Sequence, residues 1–224
     1  MSNFANSESI ILKGVRALWL DVFKPGEGMD GGAPKYKVSA LVAPGSENEK
    51  LVKQMMVQAA KKLWPENAVA VIQSMTANSK CLRDGNGKLN DDGSVRPEYK
   101  DMLFISSSNK SKPQVVGPKK HNGKFVTILE SGRGMVDGVD VTEQLGYELK
   151  APYKGCFINL KIQCVAGKQF KGVDGKIIPN QVFARVEAVQ FASDGEAFGA
   201  GPTSAEGFGE EDVAEASESG DGLF

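Results

Sequence analysis

The chain has 224 residues, with 27 Lys and Arg against 28 Asp and Glu for a net charge of −1, one His and three Cys. That length allows one domain with a sizeable core or two small ones, and with no Pro/Ser-rich linker one is expected. The odd cysteine count and spacing argue against a disulfide framework or metal site, no apolar run approaches a membrane span, and Met1 to Phe4 lacks a basic-then-apolar leader, so a soluble cytoplasmic protein is expected.

Residues 1–9 are polar and are expected to be loose. Ile10 to Phe23 reads as a strand, with Leu18, Leu20 and Val22 on one face and Ala17, Trp19 and Asp21 on the other. Gly14 within it predicts a bend or bulge, as a curled barrel strand needs. After the Gly/Pro-dense loop Pro25 to Pro34, Lys35 to Val42 predicts a second strand. Its period of two groups Tyr36, Val38, Ala40 and Val42, with Lys35, Lys37 and Ser39 opposite. Ser46-Glu47-Asn48-Glu49 is a capping box, in which the serine accepts from a first-turn amide and Glu49 reaches back. The helix it starts should run to about Leu63 and stop before Pro65. Leu51, Met55, Ala59 and Leu63 would then form an apolar stripe beside Val52 and Met56. A second, shorter helix is expected around Ala68 to Ser74.

Asp84 to Ser94 has part of the pattern of a calcium loop. The position that needs a bidentate Glu is Val95, however, and flanking helices are not evident, so a surface hairpin or loop is expected. Met102 to Ser106 predicts a buried strand. Lys110, Lys112, Lys119 and Lys120 flank Val115-Val116, and His121 has no triad or ligand companion and reads as a surface residue. Lys154 to Val165 alternates strictly. Cys156, Ile158, Leu160, Ile162 and Cys164 fit a core face, and Phe157, Asn159, Lys161 and Gln163 point away. Lys168 to Lys176 predicts a basic, Gly-rich hairpin containing Phe170. Gln181 to Phe191 then repeats the alternation, with Val182, Ala184, Val186 and Ala188 inward and Phe183 and Arg185 outward. The body is therefore mainly β with one longer helix.

The end of the chain differs in kind. Asp194 to Phe224 holds nine acidic residues and no Lys or Arg, so Met1 to Ser193 carries 27 basic against 19 acidic residues, a charge of +8. Rich in Gly, Ala and Ser and in like charge, this stretch is expected to be a disordered acidic tail, 194–224, joined to a basic domain, 1–193. A solubilising segment needs no exposed aromatic at its end. The Leu223-Phe224 terminus instead suits a small apolar pocket rimmed with cations on a partner.

The strand faces turned from the core carry cations beside aromatics: Lys35 and Lys37, Phe157 and Lys161, Phe183 and Arg185, with Trp19. Single-stranded nucleic acid calls for that mixture, because every base can stack on an aromatic face while cations follow the phosphates. No nucleophile elbow, phosphate-binding glycine loop, zinc spacing or histidine cluster accompanies it, so neither catalysis nor a metal or other cofactor is expected. Asp91-Asp92 and the Asp137/Asp140 pair lie in turn-like sequence, where aspartate serves the backbone.

Tyr36-Lys37-Val38, then Ala151-Pro152-Tyr153-Lys154 leading into a long late strand, and a tail ending in Phe224 appear in the same order as in a known family. The chain resembles the single-stranded DNA-binding proteins of bacteriophage T7 type and related phage proteins. The resemblance implies a five-stranded OB-fold Greek-key barrel, binding without chemistry, homodimers, and work in phage DNA replication or recombination in the cytoplasm of the infected host. It also implies that the tail contacts replication proteins such as DNA polymerase or helicase/primase. With the charge split, the expectation is a tail that competes for the DNA groove and recruits partners through Glu210, Glu211, Asp212, Asp221, Leu223 and Phe224. The alternatives are an OB-like protein-interaction adaptor and a metal-dependent nuclease.

Overall fold

The computed structural model describes residues 2–27, 32–172 and 175–198. Strands β1 (Phe4–Gly26) and β2 (Lys35–Val42) are followed by helices α1 (Glu47–Lys61) and α2 (Ala68–Ser74). Next come β3 (Leu82–Asp84), β4 (Leu103–Asn109), β5 (Gln114–His121), β6 (Lys124–Ile128), β7 (Gly134–Val136) and β8 (Val139–Asp140). The long β9 (Phe157–Gly167), the small hairpin of β10 (Phe170–Lys171) and β11 (Ile177–Ile178), and β12 (Gln181–Ser193) complete the set.

Five strands close a barrel. β1 pairs antiparallel with β2 and β9, β2 with β4, and β9 with β12, while a parallel contact at Ala184 and Ser107 joins β12 to β4. Counting only the barrel strands, the order is 1-2-3-5-4 and back to 1, with the third and fifth parallel. This is the OB-fold, a Greek-key barrel. β5 continues along β12 where β4 leaves it, and β6, β7 and β8 extend the sheet outward as a meander.

The barrel fills because alternation puts the apolar set inside. Ile158, Leu160, Ile162 and Cys164 of β9 meet Leu12, Val38, Ile105 and Val182, all fully buried. α1 plugs one end of the barrel with Val52, Met56, Ala59 and Ala60, which join the same core. Its start is capped as expected: Ser46 Oγ accepts the Glu49 N–H at 3.2 Å. The return bond from Glu49 goes to the Gly45 N–H, one residue before the cap. The helix ends at Lys61, short of Leu63.

Several expectations need correction. Phe4 to Ser9 is not loose: Phe4 and Ala5 pair with Gly167 and Ala166, and Ser7 Oγ accepts the Cys164 N–H at 2.9 Å. Pairing along β9 holds this polar stretch in place despite its composition. In β1 a register shift between Ala17 and Trp19 breaks the alternation, so Ala17 is in the core while Leu18 packs outside the barrel on Leu41 and Phe104. A second shift, between Val186 and Ala188 of β12, turns Val189 and Phe191 inward in place of Ala188. Gly14, with φ of 60°, sits at the expected irregularity between Leu12 and Val15.

The first residues of the expected tail are held on the body. Asp194 to Phe198 form a strap on the body: Asp194 Oδ2 accepts from Lys150 Nζ at 2.8 Å and Oδ1 from the Tyr153 hydroxyl at 3.0 Å. Arg16 Nη2 donates to the Glu196 carbonyl at 2.8 Å, and the guanidinium lies 4.1 Å from the Phe198 ring centroid. Gly155 is required beneath the strap, since its φ is 101° and a Cβ there would lie 2.1 Å from the Glu196 carbonyl oxygen. The remainder of the expected tail, with Glu210, Glu211, Asp212, Asp221, Leu223 and Phe224, lies outside the described residues.

Candidate nucleic-acid interface

The second and third strands of an OB barrel present its oligonucleotide-binding face, flanked by the loops after the first and fourth strands. Here those strands are β2 and β4. Cross-strand partners share a face, so Trp19, Ser39 and Ser106 form one outward row across β1, β2 and β4. Asp21, Lys37 and Ser108 form the next. A depression of about 430 Å³ lies over this face, lined by Lys35, Lys37, Ser39, Lys80, Arg83, Ser106 and Phe183 among others.

Its cations are held by backbone, not by acids. Lys37 Nζ donates to the Glu27 carbonyl at 2.6 Å, Lys80 Nζ to Gln73 at 3.4 Å, and Arg83 Nε to Lys80 at 2.9 Å. Among the described residues no carboxylate lines the depression. Partial burial lowers the pKa of the Arg83 guanidinium, which nevertheless remains charged near neutrality.

Aromatics stand at both ends. At the β1 end Trp19 is 47% exposed, with Lys154 Nζ 3.7 Å from its ring centroid. At the β12 end Phe183 is shared with a second depression lined by Phe4, Asn6, Val165 and Arg185. Phe4 packs edge-on against both Phe183 and Phe170, at centroid distances of 6.4 and 5.8 Å. The two depressions therefore adjoin at the Phe183 ring.

Of the seven residues singled out in the sequence, five fall along this groove: Lys35, Lys37 and Phe183 in it, and Trp19 and Arg185 at its ends. Phe157 and Lys161 do not. Phe157 is the β9 neighbour of Arg16 and lines a separate depression with Asn48 and Lys100. Lys161 pairs with Glu187 at 3.4 Å on the outer face of β9 and β12. Both face outward as the alternation requires, but on a different side of the barrel.

Sequence reasoning missed Lys80, Arg83, Phe4 and Phe170 as contributors. The basic residues around Cys81-Leu82 were the available signal for the first two, and the isolated aromatic in a polar start for Phe4. Asp92 and Asp140 serve turns, accepting from Ser94 and Thr142 respectively, and these bonds lower both carboxyl pKa values. Among the described residues no three His, Cys, Asp or Glu converge as a metal-holding group, and no helix is long and apolar enough to cross a membrane.

An OB barrel whose cationic groove has no lining carboxylate among the described residues and lies between aromatic platforms has the features of the single-strand-binding class of this fold. The family described as Enterobacter phage Enc34, ssDNA-binding protein, matches residues 8–218, and the chain belongs to that family. Among solved structures, the single-stranded DNA-binding protein from bacteriophage Enc34 in complex with ssDNA superposes with a TM-score of 0.57 at 19% identity, covering 85% of this chain and 89% of that one. A C-terminal truncation of the Enc34 protein gives 0.54 at 17% identity, covering 85% and 88%. The gp2.5 single-stranded DNA-binding protein of bacteriophage T7 gives 0.39 at 10% identity, covering 93% and 98%. No curated protein matches.

Proposed function

We propose that this chain binds single-stranded DNA without sequence preference in phage DNA replication or recombination, in the cytoplasm of the infected host, and acts by binding, not by chemistry. One observation carries the proposal: the groove over β2 and β4 gathers Lys35, Lys37, Lys80 and Arg83, with no lining carboxylate among the described residues, and runs from exposed Trp19 at one end to Phe183 beside exposed Phe4 at the other. Cations that are not paired with a carboxylate are available to phosphates, and stacking on aromatics tolerates any base. Membership of the Enc34 family supports the same ligand. The acidic stretch beyond Phe198 competes for the groove and, when displaced by DNA, docks on replication proteins through its acids and Leu223-Phe224.

Titration of labelled oligo-dT at two salt concentrations tests the proposal. The expected result is length-dependent binding that weakens steeply as salt rises. An interaction adaptor would show no binding at any length, and a nuclease would consume the probe when magnesium is added.

A further inference from the structure

The groove is not uniform along its length, and the difference assigns parts of the ligand to parts of the site. The floor between the two aromatic ends consists of small hydroxyl side chains: Ser39 and Ser106, whose oxygens are 3.3 Å apart, with Ser108 beside them. Among the described residues Phe183, at the β12 end, is the one aromatic that lines this depression. Phe104, the ring on the adjacent row, is 3% exposed and is covered by Arg83 at 5.7 Å and Lys88 at 5.3 Å. A hydroxyl offers no surface for stacking, but it donates readily to phosphate oxygens, as do Lys35, Lys37, Lys80 and Arg83 around this floor. From Trp19 on β1 to Phe183 on β12 the groove crosses three interstrand spacings, about 14 Å.

We infer that the middle of this groove holds the sugar–phosphate backbone, and that bases are bound only at its ends, by stacking on Trp19 and on the Phe183 cluster. The inference rests on the single-strand-binding function proposed above and divides that site into a phosphate trough and two stacking platforms. Lys80 and Arg83 become phosphate-positioning residues. The trough also explains sequence tolerance without relying on stacking alone: over the central floor the protein contacts the part of the polymer common to every nucleotide.

The test compares oligo-dT with an abasic polymer of the same length, made of tetrahydrofuran phosphates, which keeps the charges and removes the bases. The full-length protein binds both, the abasic polymer more weakly. Lys80→Ala and Arg83→Ala each lower the salt slope by about 0.7 on both probes. Trp19→Ala weakens oligo-dT binding by roughly 5- to 150-fold, the equivalent of one lost stacking contact, and leaves the abasic polymer unchanged. Thermal melting establishes that each variant is folded. Should the Arg83 variant fail to fold, Lys80→Ala suffices, since its ammonium bonds only a backbone carbonyl. The inference is overturned if the Lys80 or Arg83 penalty disappears on the abasic polymer, or if wild type binds oligo-dT but not that polymer. Failure of wild type to bind oligo-dT would instead overturn the single-strand-binding function itself.

Discussion

Lys35→Ala combined with Lys37→Ala is the most direct test of the groove. Four cations, Lys35, Lys37, Lys80 and Arg83, line it, and Lys154 and Arg185 stand at its ends. Each phosphate neutralised on a single strand contributes about −0.7 to the slope of log K against log salt, so the four central cations give roughly −2.8. Between 50 and 200 mM salt, a slope of that size weakens binding by about fifty-fold. Removing two cations should reduce the slope by about 1.4, leaving a weakening of roughly seven-fold over the same range. Fluorescence titrations of oligo-dT at four or more salt concentrations measure this directly. Lys161→Ala is the matched control, because its charge is paired with Glu187 and lies off the groove. An unchanged slope in the double variant, or an equal loss in the Lys161 variant, would refute the placement of the DNA over β2 and β4.

The aromatic residues separate in the same way. Phe183→Ala should cost about 1–3 kcal/mol of oligo-dT affinity at constant salt, while Phe157→Ala should leave affinity unchanged, as measured in parallel titrations. Truncation after Phe198 removes seven acidic residues and should tighten oligo-dT binding, without loss of thermal stability. Truncation after Ser193 also removes the strap held by Lys150, Tyr153 and Arg16, and should lower the melting temperature; equal melting temperatures for the two truncations would contradict the strap. Hydrogen bonds from Lys150 and then Tyr153 hold the Asp194 carboxyl below the usual aspartate range. A depressed carboxyl stabilises above its unfolded pKa and loses that contribution as pH falls through the lower folded value, so strap attachment should weaken below about pH 4. Lys150 is raised by the same partner, so the alkaline loss falls only above the usual lysine range. Acid melts of wild type and Asp194→Asn should differ near neutrality and converge at low pH.

Strict alternation made the faces of β9 and most of β12 legible in the sequence, because one face of each strand is sealed in the core and period two has no other solution there. Alternation says which residues leave the core, not where around a closed barrel they emerge. Phe157 and Phe183 carry the same pattern in adjacent strands, yet only Phe183 faces β4 across the groove. That difference depends on which strands become neighbours, a long-range outcome that local composition does not encode. The bulge between Ala17 and Trp19 is similar: one extra residue exchanges the faces of Ala17 and Leu18, and no Gly or Pro marks it. Arg83 is hidden because β3 has three residues, too few to display a period, and Lys80 lies in the turn before it, where no period exists.

The location of positive charge matters more than the +8 total of residues 1–193. Lys53, Lys124 and Lys161 are matched to Glu49, Asp137 and Glu187, whereas the groove lining has no carboxylate among the described residues. Placing four cations together costs self-repulsion, which an anion in the groove relieves. The strap fixes where the described chain ends relative to the groove. The Phe198 N–H donates to the Lys154 carbonyl at 3.2 Å, and the Lys154 ammonium lies over Trp19, so residue 198 leaves the body beside one end of the groove. If the seven acids beyond residue 198 compete for the groove as proposed, they approach it from this end, and a polyanion of higher charge density displaces them.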